Sequence, residues 1–413
     1  MKKSNNFIFY GFFFTTISII LYELFTIVKY HQKLSDGYLN IPKDSATYEM
    51  AKKIKDDFIN SQISASHTKY RSVSADLLKH SIYIFVAVCF LNKKLRNHVL
   101  RISEKRITII RSDFRDLKRS EINYISLAVI AYFTCILIIS MIKSKEIDTI
   151  KLGQYICLFF GFYFFLIPFI VFIIYVALKN FGKKFIAACY IAYILKVLPE
   201  VLVQDEADLE KMKKMNIEEF PEKIQNVLKK YDLEDRVYKE RTPSADINAA
   251  LIGYGSGKRM ELYGDMNDFS RNQIYAILLH EVGHVDEHSL FRKSVIYFGL
   301  IFAEMFFLMW MYDRLSYKYT SNGVSAFTAF IFLTIIYKIL LRQWLFAFHR
   351  MASQNSELNS DHFAREHSYF EPLAEALFNI GVDSHDYLKP TWPYNVLRST
   401  HPSIYSRVER LLR

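Results

Sequence analysis

Two imidazoles and a carboxylate stand together at His280-Glu281-Val282-Gly283-His284, the first place in the chain where residue type and spacing could do chemistry. Residues four apart share one face of a helix, so His280 and His284 can ligate one divalent metal ion while Glu281 lies beside a water held there. A catalytic metal of this kind takes a third protein ligand and keeps one position open. A third histidine ten residues after the first is absent, since position 290 is Leu290, and His288 would be turned away from the metal face of a continuing helix. The run Ser356-Glu357-Leu358-Asn359-Ser360-Asp361 offers an alternative, with Glu357 and Asp361 four apart on one helical face. Glu357 would complete a two-histidine, one-carboxylate site for one Zn2+ per chain. Asp361 would hold a ligating imidazole in its tautomer or assist proton transfer. A solvated acidic helix face and an ordinary pair of surface histidines fit the same spacings.

The chemistry such a site implies is hydrolysis of an amide. Glu281 would accept a proton from the attacking water and pass it to the leaving amine. The developing negative oxygen needs another donor, which a histidine or arginine elsewhere in the chain would supply.

The elements around these residues alternate between very apolar and polar. Of 413 residues, 51% are hydrophobic and 16% aromatic, yet the mean hydropathy is only +0.07, so long apolar runs must be offset by polar segments. A spanning helix needs about 20 apolar residues. Phe7 to Val28 supplies such a run, too long for a signal-peptide core and followed by no small-residue cleavage site, so it reads as a retained span. Further spans are expected at Ser72 to Asn92, Ile122 to Ile142, Gln154 to Leu178, Ser294 to Tyr312 and Val324 to Leu341. A weaker run, Phe185 to Val203, carries Lys196, Pro199 and Glu200, and fits either a seventh span or a membrane-edge helix. The expected division is a transmembrane region over 1–203, a soluble segment over 204–292, two spans over 293–342 and a second soluble segment over 343–413.

Within the first soluble segment, Ile217, Phe220, Ile224, Val227, Leu228 and Tyr231 recur at helical spacing. Strand-like runs follow at Val237 to Thr242, Asp246 to Gly253 and Lys258 to Tyr263, with Gly253, Gly255 and Gly257 making a hairpin between the last two. These glycines do not fit a phosphate loop, because they lead into a strand. A helix is expected from Ser270 to His288, carrying the histidines. Cys89, Cys135, Cys157 and Cys189 all lie in apolar stretches without C-x-x-C spacing and read as packing residues. The net charge of +11 is concentrated in connections such as 93–120, which has ten basic residues and one aromatic, Phe114. That pattern suits lipid headgroups better than nucleic acid, which calls for stacking residues beside the charge.

Taken in order, four elements resemble the type I CAAX prenyl endopeptidases of the endoplasmic reticulum and nuclear envelope, with the bacterial heat-shock membrane proteases as more distant relatives. These are Asn248-Ala249 with Gly253, His280 to His284, Glu357 with Asp361, and Thr400-His401-Pro402 followed by Arg407. The motifs span about residues 200–413, and the rest is similar only in its layout of spans. The resemblance implies a mainly α, polytopic membrane helical bundle of seven spans, or six, enclosing a chamber. A small α+β gluzincin-like zinc peptidase module would be split by the last two spans. It implies zinc held by His280, His284 and Glu357, with Glu281 as base and Asp361 as proton donor or support for a ligand. His401 would steady the oxyanion, Arg407 would be supporting, and Asn248, Ala249 and Gly253 would take the substrate backbone as an added strand. The implied substrates are isoprenylated proteins or peptides ending in C-a-a-X, trimmed by three residues at a lipid bilayer. The family's lumenal amino terminus would put the basic 93–120 loop in the lumen, which the positive-inside tendency opposes. Two other readings remain open: a general membrane-protein quality-control metalloprotease, and an inactive scaffold with a decayed motif. Nothing in the sequence sets an oligomeric state.

Overall fold

The computed structural model describes residues 3–104, 117–143, 166–202, 210–244, 247–253, 255–318 and 324–413. The chain divides into two compact units, one made of Met1–Leu24, Tyr70–Tyr193 and Gly299–Leu345, the other of Phe25–Lys69, Ile194–Phe298 and Phe346–Arg413.

The first unit holds most of the apolar sequence. Its helices draw on α1 (Lys3–Ser35), α3 (Lys55–Leu91, after the short α2 at Ala46–Lys53), α4 (Lys93–Glu104), α5 (Arg119–Lys143), α6 (Ile167–Phe181) and α7 (Lys183–Leu202). Four helical stretches among the described residues are long and apolar enough to cross a membrane: Tyr10–Ser35, Lys55–Leu91, Ser289–Leu315 and Ala326–Glu366. They contain the expected spans at 7–28 (from Tyr10), 72–92 (to Leu91), 294–312 and 324–341 (from Ala326). Helix α5 covers the run at 122–142, and α7 stays helical through Pro199. The expected span at 154–178 is described only from residue 166, and residues 105–116 of the 93–120 connection, Phe114 among them, lie outside the described residues. Flat aromatic packing fills this unit's core: Phe90 stacks on Phe332 at 4.5 Å between ring centroids, and Tyr124 lies 4.4 Å from the same ring. Cys89 and Cys189 are free thiols, while Cys157 and the side chain of Cys135 are outside the described set.

The second unit is α+β. Its sheet has the order β1-β2-β4-β3, where β1 is Met212–Lys214, β2 Val237–Glu240, β3 Asn248–Ile252 and β4 Arg259–Tyr263. Three of these match the expected runs, although Asp246 lies outside the described residues. Strand β1 has no counterpart in the sequence reading, because three residues with one buried side chain carry no visible alternation. The β3–β4 hairpin is antiparallel and β2–β4 is parallel, with Val237 opposite Met260. Gly253 closes the hairpin at φ +82°, and a Cβ there would stand 2.7 Å from the Gly257 carbonyl oxygen, which accounts for the glycine.

Helix α8 (Glu222–Lys230) buries Ile224, Val227 and Leu228, as their spacing predicts. Helix α9 (Arg271–Asp286) starts in a capping box: Ser270 accepts from the Gln273 N–H and the Gln273 side chain accepts from the Ser270 N–H. It ends earlier than the expected His288, which sits beyond the helix at φ +49°. Helix α10 (Ser289–Lys318) follows at once. Helix α11 (Ala326–Ile336) continues through a π-helical turn (Tyr337–Leu341) and α12 (Arg342–Leu345) to α13 (Ala347–Glu366), and α14 (Phe370–Asp383), α15 (Trp392–Arg398) and α16 (Ile404–Leu412) complete the chain. Residues 25–69, which take in the end of the first expected span and most of the connection that follows it, belong to this unit's core. Phe58 stacks on Phe378, the Ser61 hydroxyl donates to the Val382 carbonyl at 2.6 Å, and Ser45 and Thr47 donate to the buried Glu409 carboxylate.

Candidate metal centre

Helices α9 and α13 approach so closely that only a glycine fits between them. A Cβ on Gly283 would lie 2.7 Å from the Ser360 Cα and 3.0 Å from the Phe363 Cβ. This close crossing brings the two histidines of one helix to the carboxylates of the other. His280, His284 and Glu357 are all buried, and one ligand atom from each lies within 4.8 Å of the others. His280 Nε2 is 3.5 Å from Glu357 Oε2, and His284 Nε2 is 3.3 Å from Glu357 Oε1. Tetrahedral ligands at zinc bond lengths of about 2.0–2.1 Å stand about 3.3–3.4 Å apart, so these separations fit one ion.

The outward nitrogens of both imidazoles are engaged, which leaves the inward ones for a metal. His280 Nδ1 lies 3.0 Å from Asp361 Oδ1, and His284 Nδ1 lies 2.8 Å from Ser360 Oγ and 3.2 Å from Ser289 Oγ. Asp361 is itself clamped by Arg407, whose Nε and NH2 donate to its two oxygens at 2.9 and 2.7 Å. Burial disfavours a charged His280, but hydrogen bonds to Asp361 and Glu357 outweigh it and push the metal-free imidazole up to about 9. Burial likewise opposes the charge on Arg407, and Asp361 beside it more than restores it.

His401, in the turn before α16, has a side chain 63% exposed, with Nδ1 3.1 Å from Glu357 Oε2. Its main chain is fixed by Asn395 and Ser399, which both donate to the His401 carbonyl at 2.9 Å. Strand β3 has β4 on one side and no strand on the other among the described residues, so one edge is open. Glu281, buried on α9, accepts the Leu251 N–H of this strand at 3.0 Å, which places the carboxylate next to the open edge. Asn248 caps the Ala249 N–H at 2.9 Å, and Gly253 lies in the hairpin turn.

The structure thus brings His280, Glu281, His284, Glu357, Asp361, His401 and Arg407 into one cluster, with the β3 edge beside Glu281. It adds Lys293, whose Nζ is 3.6 Å from Glu357 Oε1. No spacing rule points to Lys293, because the chain breaks at His288 before the helix that carries it. Leu251 was equally invisible, since its contribution is a backbone N–H. Ser360 and Ser289 become apparent only once His284 has an orientation.

Comparison with known proteins comes to bear on this geometry. Residues 216–413 match peptidase family M48. No curated protein matches the chain by sequence. Among solved structures, the crystal structure of S. mikatae Ste24p is similar over 98% of this chain and 98% of that one, with a TM-score of 0.57 and 15% identity. At that identity the likeness speaks for the fold.

Proposed function

From a chain whose residues 216–413 match peptidase family M48 and whose fold is that of Ste24p, both supporting a membrane zinc metallopeptidase of the Ste24 type, we propose an activity. The chain is an integral membrane endopeptidase that removes the last three residues of isoprenylated C-a-a-X proteins, acting at the endoplasmic reticulum or nuclear envelope. The observation that carries the peptidase reading is the position of Glu281, one residue from a zinc ligand and hydrogen-bonded to an open strand edge. The C-a-a-X substrate rests on the ordered set Asn248-Ala249, His280 to His284, Glu357 with Asp361, and His401 with Arg407.

The donor set of two imidazoles and one carboxylate suits zinc, which when bound supplies a Lewis acid and a water of lowered pKa. A substrate entering as an extended strand pairs with the β3 edge, and its main-chain carbonyl takes the Leu251 N–H that Glu281 now occupies. Glu281 then turns to the water, accepts its proton and delivers it to the departing amine. Lys293 and His401 both sit against Glu357, Lys293 bringing an ammonium and His401 a ring nitrogen as donors where an oxyanion would develop. Asp361, clamped by Arg407, keeps His280 oriented.

The test is Glu281→Gln in the purified full-length protein. The variant should retain one zinc per chain and release no tripeptide from a farnesylated C-a-a-X peptide. Wild-type release by this variant would end the peptidase reading. Cleavage of misfolded membrane proteins by wild type, with no action on the farnesylated peptide, would favour the quality-control reading.

A further inference from the structure

A second site lies in the other unit and has no part in the peptidase chemistry. Helices α6, α7, α10 and α11, with the π-helical turn and Arg342 of α12, line an open pocket of about 390 Å³, within the range of about 300–1,000 Å³ typical of ligand sites. Most of its wall is apolar, including Ile174, Phe185, Leu308 and Phe330. One region of that wall is ionic. Glu304, fully buried inside an otherwise apolar spanning stretch, pairs with Lys338 at 2.7 Å and with Arg342 at 3.1 and 3.3 Å.

One cation would neutralise Glu304, and ionisable groups placed inside a membrane helix are costly enough to call for a reason. Here there are two, so the cavity lining carries one surplus positive charge. Neither cation is sealed in: the Lys338 side chain is 40% exposed and that of Arg342 33%, whereas Glu304 is inaccessible. Lys338 also donates to the Tyr190 hydroxyl at 3.1 Å with its ammonium over that ring, which fixes the charge at the cavity wall. The π-helical turn Tyr337–Leu341 lies between Thr334 and Arg342, both of which line the cavity. Such turns recur at functional sites.

We propose that this cavity binds an anionic membrane phospholipid, with an acyl chain along the apolar wall and the phosphate against Lys338 and Arg342. An uncharged hydrocarbon would make no use of the lining's net positive charge, and a peptide main chain would find few partners on the apolar wall. An acyl chain with a negative headgroup satisfies both parts.

Cys189 lines the cavity and is accessible, so it reports occupancy directly. The experiment uses the full chain with Cys89, Cys135 and Cys157 replaced by alanine, in nanodiscs of phosphatidylcholine alone or mixed with phosphatidylglycerol, and follows labelling of Cys189 by an uncharged maleimide. Phosphatidylglycerol should slow labelling about fivefold, the factor that one cation contributes toward an anionic lipid. Lys338→Gln, which leaves Arg342 on Glu304, should abolish the difference. Ile331→Trp, which fills the cavity without touching the charges, should abolish it too and decides the matter if the first variant does not fold. Equal labelling in both compositions, or a difference that survives either substitution, would overturn the proposal. Stronger protection by a farnesylated peptide than by phosphatidylglycerol would also overturn it, by assigning the cavity to substrate.

Discussion

Gly283→Ala offers the sharpest test of how the metal centre is built. The added methyl would meet the Ser360 Cα at 2.7 Å and Cβ at 3.1 Å, neither of which is the end of a flexible side chain. Carbon atoms settle at about 3.5–4.0 Å, so the two helices must part by roughly 0.8 Å or more. Metal–ligand distances tolerate about ±0.2 Å, and here the ligands come from both helices: His280 and His284 from α9, Glu357 from α13. The hydrogen bond between His284 Nδ1 and Ser360 Oγ, 2.8 Å long, lies at the same crossing and would be lost or bent. Zinc affinity should fall about 10–100-fold, the range seen when support of a metal ligand is removed. Overpacking costs about 1–3 kcal/mol, partly offset by the ~1 kcal/mol helix preference of alanine over glycine. The assays are zinc competition against a chelator and thermal unfolding of the metal-free protein. Gly299→Ala is the control, since nothing lies within 4 Å of its added Cβ. A Gly283→Ala protein with wild-type zinc affinity and an unchanged melting temperature would refute the close-crossing argument.

Other perturbations separate the roles of neighbouring residues. Arg407→Met leaves Asp361 buried without its cation and should destabilise the protein by about 3–5 kcal/mol in thermal unfolding, whereas Arg407→Lys, lacking the two-pronged geometry, should recover only part of that. Lys293→Met should keep zinc and stability but lower turnover by about 10²-fold, with KM little changed, as expected when a donor to a developing oxyanion is lost. A KM effect alone would assign Lys293 to ground-state binding instead. Metal removal should reveal the His280 imidazolium: with its folded value pushed from 6.5 up to about 9, its contribution is full below 6.5 and fades as pH rises through 9. The metal-free protein should therefore lose about 3 kcal/mol between those limits, and zinc uptake at neutral pH should release a proton, both checked by calorimetry in buffers of different ionisation heat.

What could be read in the sequence was whatever repeats within one helical turn. His280 with His284, and Glu357 with Asp361, are pairs four apart, and their chemistry survives without knowledge of the fold. The β3–β4 hairpin was legible because its glycines punctuate it. The contribution of residues 25–69 to the second unit was not, since its contacts are single residues such as Phe58, Ser61 and Gln62 reaching a segment some three hundred positions away. The parallel pairing of β2 with β4 was hidden for the same reason, because β3 intervenes in the chain but not in the sheet. Helical periodicity failed at His288, where a left-handed residue ends α9 and sends Lys293 toward Glu357 on a new helix.

The open edge of β3 has a further consequence. Main-chain groups are alike in every peptide, so in the proposed pairing of substrate with this edge side chains would matter little, and almost any extended segment that reaches the edge would be accepted. Selectivity must then reside in admission rather than in grip. Under that proposal, of two peptides with equal affinity for the edge, the one whose attachment or anchoring lets its chain arrive fully extended would be the one cut. Inhibitors designed around side-chain sequence alone would consequently discriminate poorly, and a stiff extended backbone carrying a metal-binding group would serve better.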